Sequence, residues 1–423
     1  MTPRHACSTG CGMLILGLRA SGKSCPLPVR GRLPVLPPGH RFASRHLATD
    51  KLPLPPMNNP LKLLLVGDVM LGRQVNERLR AQPPTYPWGD TLPLFLGADW
   101  RACNLECVIT DHGSPWARSP KTHHFQSDAK NIAVLKAARM NAVSLANNHT
   151  LDFNHRGMME MLKLLDGAHV AHSGLGLNRE EATQLAVSEV RGVRIGLLSF
   201  TDNEPAWDAG EDHPGIFYAP VETHDERTAE LLNKVHQART QVDVLLVAAH
   251  WGGNWGAHPP AQHTTLAHGL IRAGADVIFG HSAHVCRGIE VFEGGLILYS
   301  TGHFVDDYAV DPIERNDRSW VFEIKIEDKQ PPRLHLFPTV IRDCHACLAE
   351  PHEASVMITA MQELCAPFGT IATVSAGLDH LVIDVLHHAG LNREPVEITS
   401  KAHEARIAGP RFQHGNIGGV PDR

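Results

Sequence analysis

Short apolar runs recur along the chain and predict buried β-strands. Clear runs lie at residues 63–66, 143–146, 244–249 and 277–279, and a weaker one lies at 100–103. An apolar run of roughly four to eight residues, bounded by turn residues, is typical of a strand that is covered on both faces. These runs therefore predict a sheet core that lies between other layers.

Helical and hairpin patterns separate these runs. Alternating segments at 185–190 and 193–201, and at 289–292 and 296–300, predict two hairpins around Gly-containing turns. Further strands are expected at 320–326, 333–336 and 379–385. Helical periodicity predicts helices at residues 74–80, 129–138, 157–165, 228–238, 261–273 and 354–365. A mixture of βα units and hairpins favours two packed sheets flanked by helices.

Composition changes along the chain and suggests three parts. Residues 1–49 contain six Arg, one Lys and no acidic residue, so we interpret residues 1–59 as a disordered or wrongly assigned extension, with Met57 as a candidate start. A phosphate-loop pattern at 17–24 precedes prolines instead of a helix, and we interpret it as coincidence. Residues 60–340 form the expected main domain, and residues 341–423 an extension with a helix, a strand and a disordered tail.

Charge and cysteine content exclude several classes of protein. The formal net charge of −6 provides no basic field for nucleic acid, and the apolar segment at 13–18 is too short to span a bilayer. Nine scattered cysteines suit a reducing compartment. The Cys344–Cys347 pair has no second pair at zinc-site spacing, so reduced thiols are favoured over a structural zinc. We expect a cytoplasmic location, and an exported one stays open.

Polar segments follow five of the predicted strands and hold the candidate chemistry. Singly, each has an ordinary explanation, since an Asp after a strand is often a cap and a His-x-x-His pair arises by chance. Together they repeat one placement, and ligands collect beyond the carboxyl ends of strands in α/β sheets. The residues concerned are Asp68, Glu106, Asn148, His250, His281 and His284.

These residue types are suited to a divalent cation. Carboxylate and amide oxygens are hard ligands, and imidazole nitrogens are common donors to Zn²⁺, Mn²⁺ or Fe²⁺. A coordinating His needs an acceptor for its other ring nitrogen, and Asp152 is a candidate for that role. The sequence therefore predicts a site for one or two such ions.

The ordered set of motifs resembles the bacterial poly-gamma-glutamate capsule synthesis (CapA-type) family, within the calcineurin-like metallophosphoesterase superfamily. The likeness covers about residues 61–307. Its motifs are GDVMLGR at 67–73, NLE at 104–106, LANNHTLD at 145–152, HWG at 250–252, GHSAH at 280–284 and YSTGHF at 299–304.

This resemblance implies a fold and a chemistry. It implies a four-layer α/β/β/α sandwich of metallophosphatase type, in which the six residues named above are metal ligands. His149 becomes the acid or charge stabiliser, supported by Asp152, and Arg73 holds an anionic substrate group. Metal-activated water would then attack a phosphoester or a gamma-glutamyl bond of an acidic polymer. The alternative is a non-catalytic component that works with capsule-synthesis partner proteins.

The chain departs from these families at four places. Met70 stands where the superfamily has a His ligand, and Glu106 stands where it usually has Asp. Ser282-Ala283 replaces the usual His-Pro of the CapA-type family, and His303 replaces its usual Asn. These departures leave the number of ions open between one and two.

Overall fold

The computed structural model describes residues 59–222 and 224–385. The expected N-terminal extension, the phosphate-loop pattern, the candidate start at Met57 and the tail beyond residue 385 lie outside the described residues.

The strands and helices follow the predicted alternation. The strands are β1 (Leu61–Val69), β2 (Trp100–Leu105), β3 (Val108–Ile109), β4 (Gln126–Ser127), β5 (Ala142–Ser144), β6 (Ala171–Ser173), β7 (Leu175–Gly176), β8 (Ala186–Val190), β9 (Val193–Thr201), β10 (Gly215–Ile216), β11 (Val244–His250), β12 (Val277–His281), β13 (Ile289–Phe292), β14 (Gly295–Leu298), β15 (His303–Val305), β16 (Arg318–Ile326), β17 (Arg333–Arg342), β18 (His345–Leu348), β19 (Thr373–Val374) and β20 (Leu381–Asp384). The helices are α1 (Arg73–Arg78), α2 (Leu92–Gly97), α3 (Ile132–Ala137), α4 (Asn154–Gly167), α5 (Arg179–Ala182), α6 (Glu226–Arg239), α7 (Ala261–Ala273) and α8 (Pro351–Cys365).

Two large sheets are built from these strands. A ten-stranded sheet has the order β19-β20-β17-β16-β1-β2-β5-β6, with β15 also on β1 and β18 also on β17. A six-stranded sheet has the order β13-β14-β12-β11-β9-β8. At the centre of each sheet the strands are parallel: β1, β2, β5 and β6 in the first, and β9, β11, β12 and β14 in the second. Their carboxyl ends therefore meet along one edge of each sheet.

Side-chain alternation along the strands divides the core into layers. Leu63 and Leu65 of β1 pack with Leu246 of β11 between the two sheets. Leu64 faces the opposite way, into a cluster shared with α3 and α4, and Leu245 faces a cluster shared with α6 and α7. Because successive side chains of a strand point to opposite faces, this pattern shows a helix–sheet–sheet–helix order. The predicted four-layer sandwich is confirmed.

The C-terminal part differs from its expected organisation. The boundary expected at residue 340 falls inside β17, which continues to Arg342 and pairs with β18 and β20. From α8, Met357 and Met361 pack into the cluster between the sheets. Residues 341–385 therefore extend the main sheet and core. The short strand β18 and the Pro338-containing end of β17 carried too little periodicity to be predicted.

Candidate metal centre

Three buried side chains meet where the two sheets come together. Asp68 lies at the carboxyl end of β1, and His250 and His281 are register partners at the ends of β11 and β12. Each is at most 1% exposed. One potential ligand atom from each lies within 4.8 Å of the others, which is the spacing expected around a shared cation.

A second group of the same kind contains Asp68 with His284 and His303, again with its ligand atoms within 4.8 Å of one another. Asp68 Oδ2 is 3.6 Å from His284 Nδ1 and 3.8 Å from His303 Nε2. Among the described residues, the two groups of potential metal ligands both include Asp68. Asp68 is therefore the common member of the cluster.

His303 is beside Asp68 because β15 pairs with the end of β1. Asp68 is the register partner of His303, and its amide donates to the Gly302 carbonyl over 2.9 Å. A Cβ atom on Gly67 would lie only 1.9 Å from the Gly302 oxygen. A glycine at position 67 is thus required for the close approach that brings His303 into the site.

Glu106 places a second carboxylate beside Asp68. Asn104 Nδ2 donates to Asp68 Oδ1 over 2.8 Å and to Glu106 Oε2 over 3.2 Å. Burial, and then the adjacent Asp68 charge, raises the pKa of Glu106. Burial opposes ionisation of Asp68 too, but His284 and the other imidazoles outweigh it and lower its pKa.

The remaining oxygen of each carboxylate has no hydrogen-bond partner. Asp68 Oδ2, Glu106 Oε1 and the His281 Nε2 atom are all buried and unsatisfied. Buried polar atoms are nearly always paired, because an unpaired one loses its hydration without compensation. Oxygen and imidazole donors of this kind suit a divalent cation of the Zn²⁺, Mn²⁺ or Fe²⁺ type, so the cluster fits a metal ion.

Asn148 borders the same cluster through the loop that follows β5. Its Oδ1 atom lies 3.1 Å from His250 Nε2. The neighbouring Asn147 is fully buried and donates to Asn104 Oδ1 over 3.0 Å, which ties this loop to β2. The structure thus brings all six predicted ligand residues to one place.

His149 and Asp152 form a pair at the edge of the cluster. His149 Nδ1 lies 2.6 Å from Asp152 Oδ2, which also accepts the Phe125 amide over 2.8 Å. The other ring nitrogen, Nε2, lies 3.9 Å from Glu106 Oε1. Burial lowers the pKa of His149 and raises the pKa of Asp152 to about 7. A proton on Nδ1 facing Asp152 leaves Nε2 directed at the site.

Two cationic side chains lie beside this pair. The Arg73 guanidinium lies 4.7 Å from the Phe125 ring centroid and 4.5 Å from that of Tyr308, and it pairs with Asp307. The Lys121 side chain is 8% exposed, with Nζ 3.4 Å from Asp152 Oδ1. Both side chains bring positive charge near the carboxylates and suit an anionic ligand.

The structure adds residues that the sequence analysis did not place in the site. In the sequence, His303 stands out only as a departure within the last motif, and Asn104 only as part of the second motif. Lys121 lies in a segment between β3 and β4 that has no regular periodicity, so no signal pointed to it.

Comparison with known proteins identifies the family of this chain and several relatives. The family model "Bacterial capsule synthesis protein PGA_cap" matches residues 62–308. A probable polyglutamine synthesis accessory protein of Mycobacterium tuberculosis is 31% identical over 58% of this chain and 74% of its own length. The capsule biosynthesis protein CapA of Bacillus anthracis is 29% identical over 59% of this chain and 61% of its own length.

A solved structure is also similar to this chain. The calcineurin-like phosphoesterase YfkN of Bacillus subtilis is 13% identical, with a TM-score of 0.36, over 69% of this chain and 89% of that one. The family assignment depends instead on the match of the family model, which spans more than half of the chain and contains every motif of the site. The chain belongs to the bacterial capsule synthesis protein PGA_cap family.

Proposed function

We propose that this protein is a metal-dependent hydrolase that acts in the synthesis of an acidic capsule-type polymer. One observation supports this most strongly. Asp68 Oδ2, Glu106 Oε1 and His281 Nε2 are buried without hydrogen-bond partners, and Asp68, His250 and His281 each offer a ligand atom within 4.8 Å of the others. A purely structural core would not leave several such atoms unpaired in one place.

The cation would be held by the convergent donors of the site. Asp68, His250 and His281 are the central ligands of this proposal, and Glu106, Asn148 and His284 border them. When bound, a divalent cation supplies Lewis-acid chemistry, which activates water and polarises the scissile bond. We propose Mn²⁺, Fe²⁺ or Zn²⁺ from the mixed oxygen and imidazole donors.

His149, oriented by Asp152, would carry out the proton transfer of the reaction. Asp152 fixes the orientation of the imidazole through Nδ1, which leaves Nε2 to face the reacting group. Because burial lowers the pKa of His149, the ring is neutral until negative charge develops beside it. His149 Nε2 then takes up the proton of the attacking water, and the resulting imidazolium stabilises that charge or passes the proton to the leaving group.

Arg73 and Lys121 would bind the acidic part of the substrate. The Phe125 and Tyr308 rings both contact the Arg73 guanidinium and hold it in place. Guanidinium groups bind phosphate and carboxylate with two hydrogen bonds. This supports either a phosphoester or a gamma-glutamyl polymer as substrate. The names of the relatives favour the polymer over the phosphoester as substrate. They also support the proposal that this protein works with other proteins of polymer synthesis.

The compartment is part of this proposal. The six cysteines among the described residues are free thiols, which suits a reducing cytoplasm. In the same part of the chain, no helix combines the length and apolarity that a bilayer crossing requires.

Metal content and hydrolysis test the proposal together. The full chain is stripped with a chelator, reloaded with Mn²⁺, and assayed on bis-p-nitrophenyl phosphate and on gamma-glutamyl oligomers. We expect metal-dependent turnover of at least one substrate that chelation removes. A protein that binds Mn²⁺ tightly but cleaves neither substrate would support the non-catalytic alternative, and a protein that binds no metal would contradict both the metal site and the hydrolase.

A further inference from the structure

We propose that His303 completes a second metal position, with Asp68 and His284, and so provides the imidazole that Met70 cannot. This inference extends the proposed function, because it assumes that the first group around Asp68 binds a cation. It assigns a role to a residue that departs from the usual family motif.

The positions of the ring nitrogens support this assignment. His303 Nε2 lies 2.5 Å from His284 Nδ1, and both face Asp68 Oδ2 at 3.8 Å and 3.6 Å. The three side chains are each at most 7% exposed. Two imidazoles and a carboxylate oxygen thus converge in a place that is closed to bulk water.

Asp306 orients the His303 ring toward this position. The Asp306 carboxylate contacts His303 Nδ1, and both residues are almost fully buried. A metal-binding His usually donates its other N–H to a carboxylate, which fixes the tautomer. With the proton on Nδ1, the lone pair of Nε2 is directed at Asp68 and His284.

A simple hydrogen bond between the two imidazoles explains less. Such a bond satisfies one nitrogen of each ring but leaves Asp68 Oδ2 buried without a partner. A cation among the three atoms compensates all of them at once.

Met70 does not compete for this role. Its Sδ atom accepts the Gly72 amide over 3.0 Å, so the side chain is engaged within its own turn. A thioether is also a soft ligand, which is poorly matched to Mn²⁺. The chain therefore has His303, and not Met70, as the available donor.

The consequence is a two-ion site with Asp68 as the shared carboxylate. His250 and His281 serve one position and His284 and His303 the other. This arrangement predicts that one ion is lost when His303 is removed and that the other is retained.

Mn²⁺ stoichiometry tests this directly. The metal-free full chain is titrated with Mn²⁺, and bound metal is measured by equilibrium dialysis with elemental analysis. We expect two ions per chain in the wild type and one in His303→Ala. Asp306→Asn should keep two ions but weaken one of them by about 10–100-fold. His335→Ala removes a buried His of β17 that belongs to neither group around Asp68. It is the matched control and should keep both ions.

Electron paramagnetic resonance of the Mn²⁺-loaded wild type provides a test that needs no variant. Two ions that share a carboxylate should give an exchange-coupled spectrum. One ion per wild-type chain with no such spectrum, or two ions in a folded His303→Ala, would overturn the inference.

These outcomes are distinct from failure of the proposed function. If two ions bind and His303→Ala loses one, but no substrate is cleaved, then the second position exists and the hydrolase does not. If one ion binds and supports cleavage, then the hydrolase stands and the role of His303 is wrong.

Discussion

Two pairs of close histidines in this molecule show what distinguishes a metal site from ordinary packing. His250 and His281 in the site have Nδ1 atoms 2.9 Å apart and ring centroids 5.1 Å apart. His335 of β17 and His380 near β20 have nearly the same geometry, with nitrogens 3.0 Å apart and centroids 5.2 Å apart. Proximity of two imidazoles is therefore not the distinguishing feature.

The carboxylates around the two pairs differ. Beside His250 and His281, Asp68 forms no ion pair with a lysine or arginine of the described residues, and its Oδ2 atom has no hydrogen-bond partner. Next to His335, the buried Glu323 already lies 3.2 Å from Lys325 and 3.9 Å from Lys62. A carboxylate that has its own cation cannot attract a metal as strongly. Asp379 lies 2.8 Å from His380 Nδ1, but its side chain is 67% exposed to solvent. Only the first pair therefore combines imidazoles with a buried carboxylate that has no cationic partner.

Replacing this carboxylate should have the largest effect. Asp68→Asn makes the site resemble the His335–His380 pair, so we expect Mn²⁺ binding to be lost. Loss of Lewis-acid stabilisation worth several kcal/mol should lower hydrolysis by about 10³-fold or more. Elemental analysis and kcat/KM measure the two effects. Full metal content in Asp68→Asn would mean that the carboxylate is not the distinguishing feature.

The His250–His281 pair also lies near a residue that can transfer protons, His149, and we assign no such role to the His335–His380 pair. His149→Ala should lower kcat by about 10²–10⁴-fold, because it removes a general acid or charge stabiliser, while Mn²⁺ content and KM change little. Asp152→Asn should act in the same direction, since it disturbs the orientation of the ring. Steady-state kinetics on metal-loaded protein measures this, and a variant with unchanged kcat would exclude His149 from the reaction.

Arg73 should affect the binding of substrate and leave the binding of metal unchanged. Arg73→Lys keeps the charge but loses the planar contact with Phe125 and Tyr308, so we expect KM for an anionic substrate to rise about tenfold. Metal content should stay at the wild-type value. A KM that is equal in the two proteins would place Arg73 in a structural role.

The His335–His380 pair should affect only stability. Burial, followed by the nearby Lys325, lowers the pKa of His335 from 6.5 to about 4. Between these pH values the unfolded chain binds a proton that the folded chain does not, so this group costs stability as the pH falls. His335→Gln should therefore lose less stability between pH 7 and pH 4.5 than the wild type, with unchanged Mn²⁺ content. Chemical denaturation at the two pH values measures the difference.

Much of the site could be predicted because parallel strands share an edge. Asp68, His250 and His281 each end an apolar run. Parallel pairing aligns the end of β1 with that of β2 in one sheet and places His250 beside His281 in the other, and the packing of the two sheets against each other brings these ends together. The six expected ligand residues lie in one cluster for this reason.

The other members of the site depend on contacts that the sequence does not state. His303 reaches Asp68 only because β15 pairs with β1, far away along the chain. Lys121 reaches Asp152 from a segment without regular structure. The expected boundary at residue 340 lies inside β17 for a similar reason, because the partners of this strand, β18 and β20, lie on the far side of that boundary.

A crystal structure of the Mn²⁺-soaked protein would show directly whether the carboxylate selects the metal position, because manganese is located by its anomalous scattering. We predict one peak coordinated by Asp68, His250 and His281 and a second beside His284 and His303, with none beside His335 and His380. A fully loaded crystal with no peak at Asp68, or an equal peak between His335 and His380, would contradict the account.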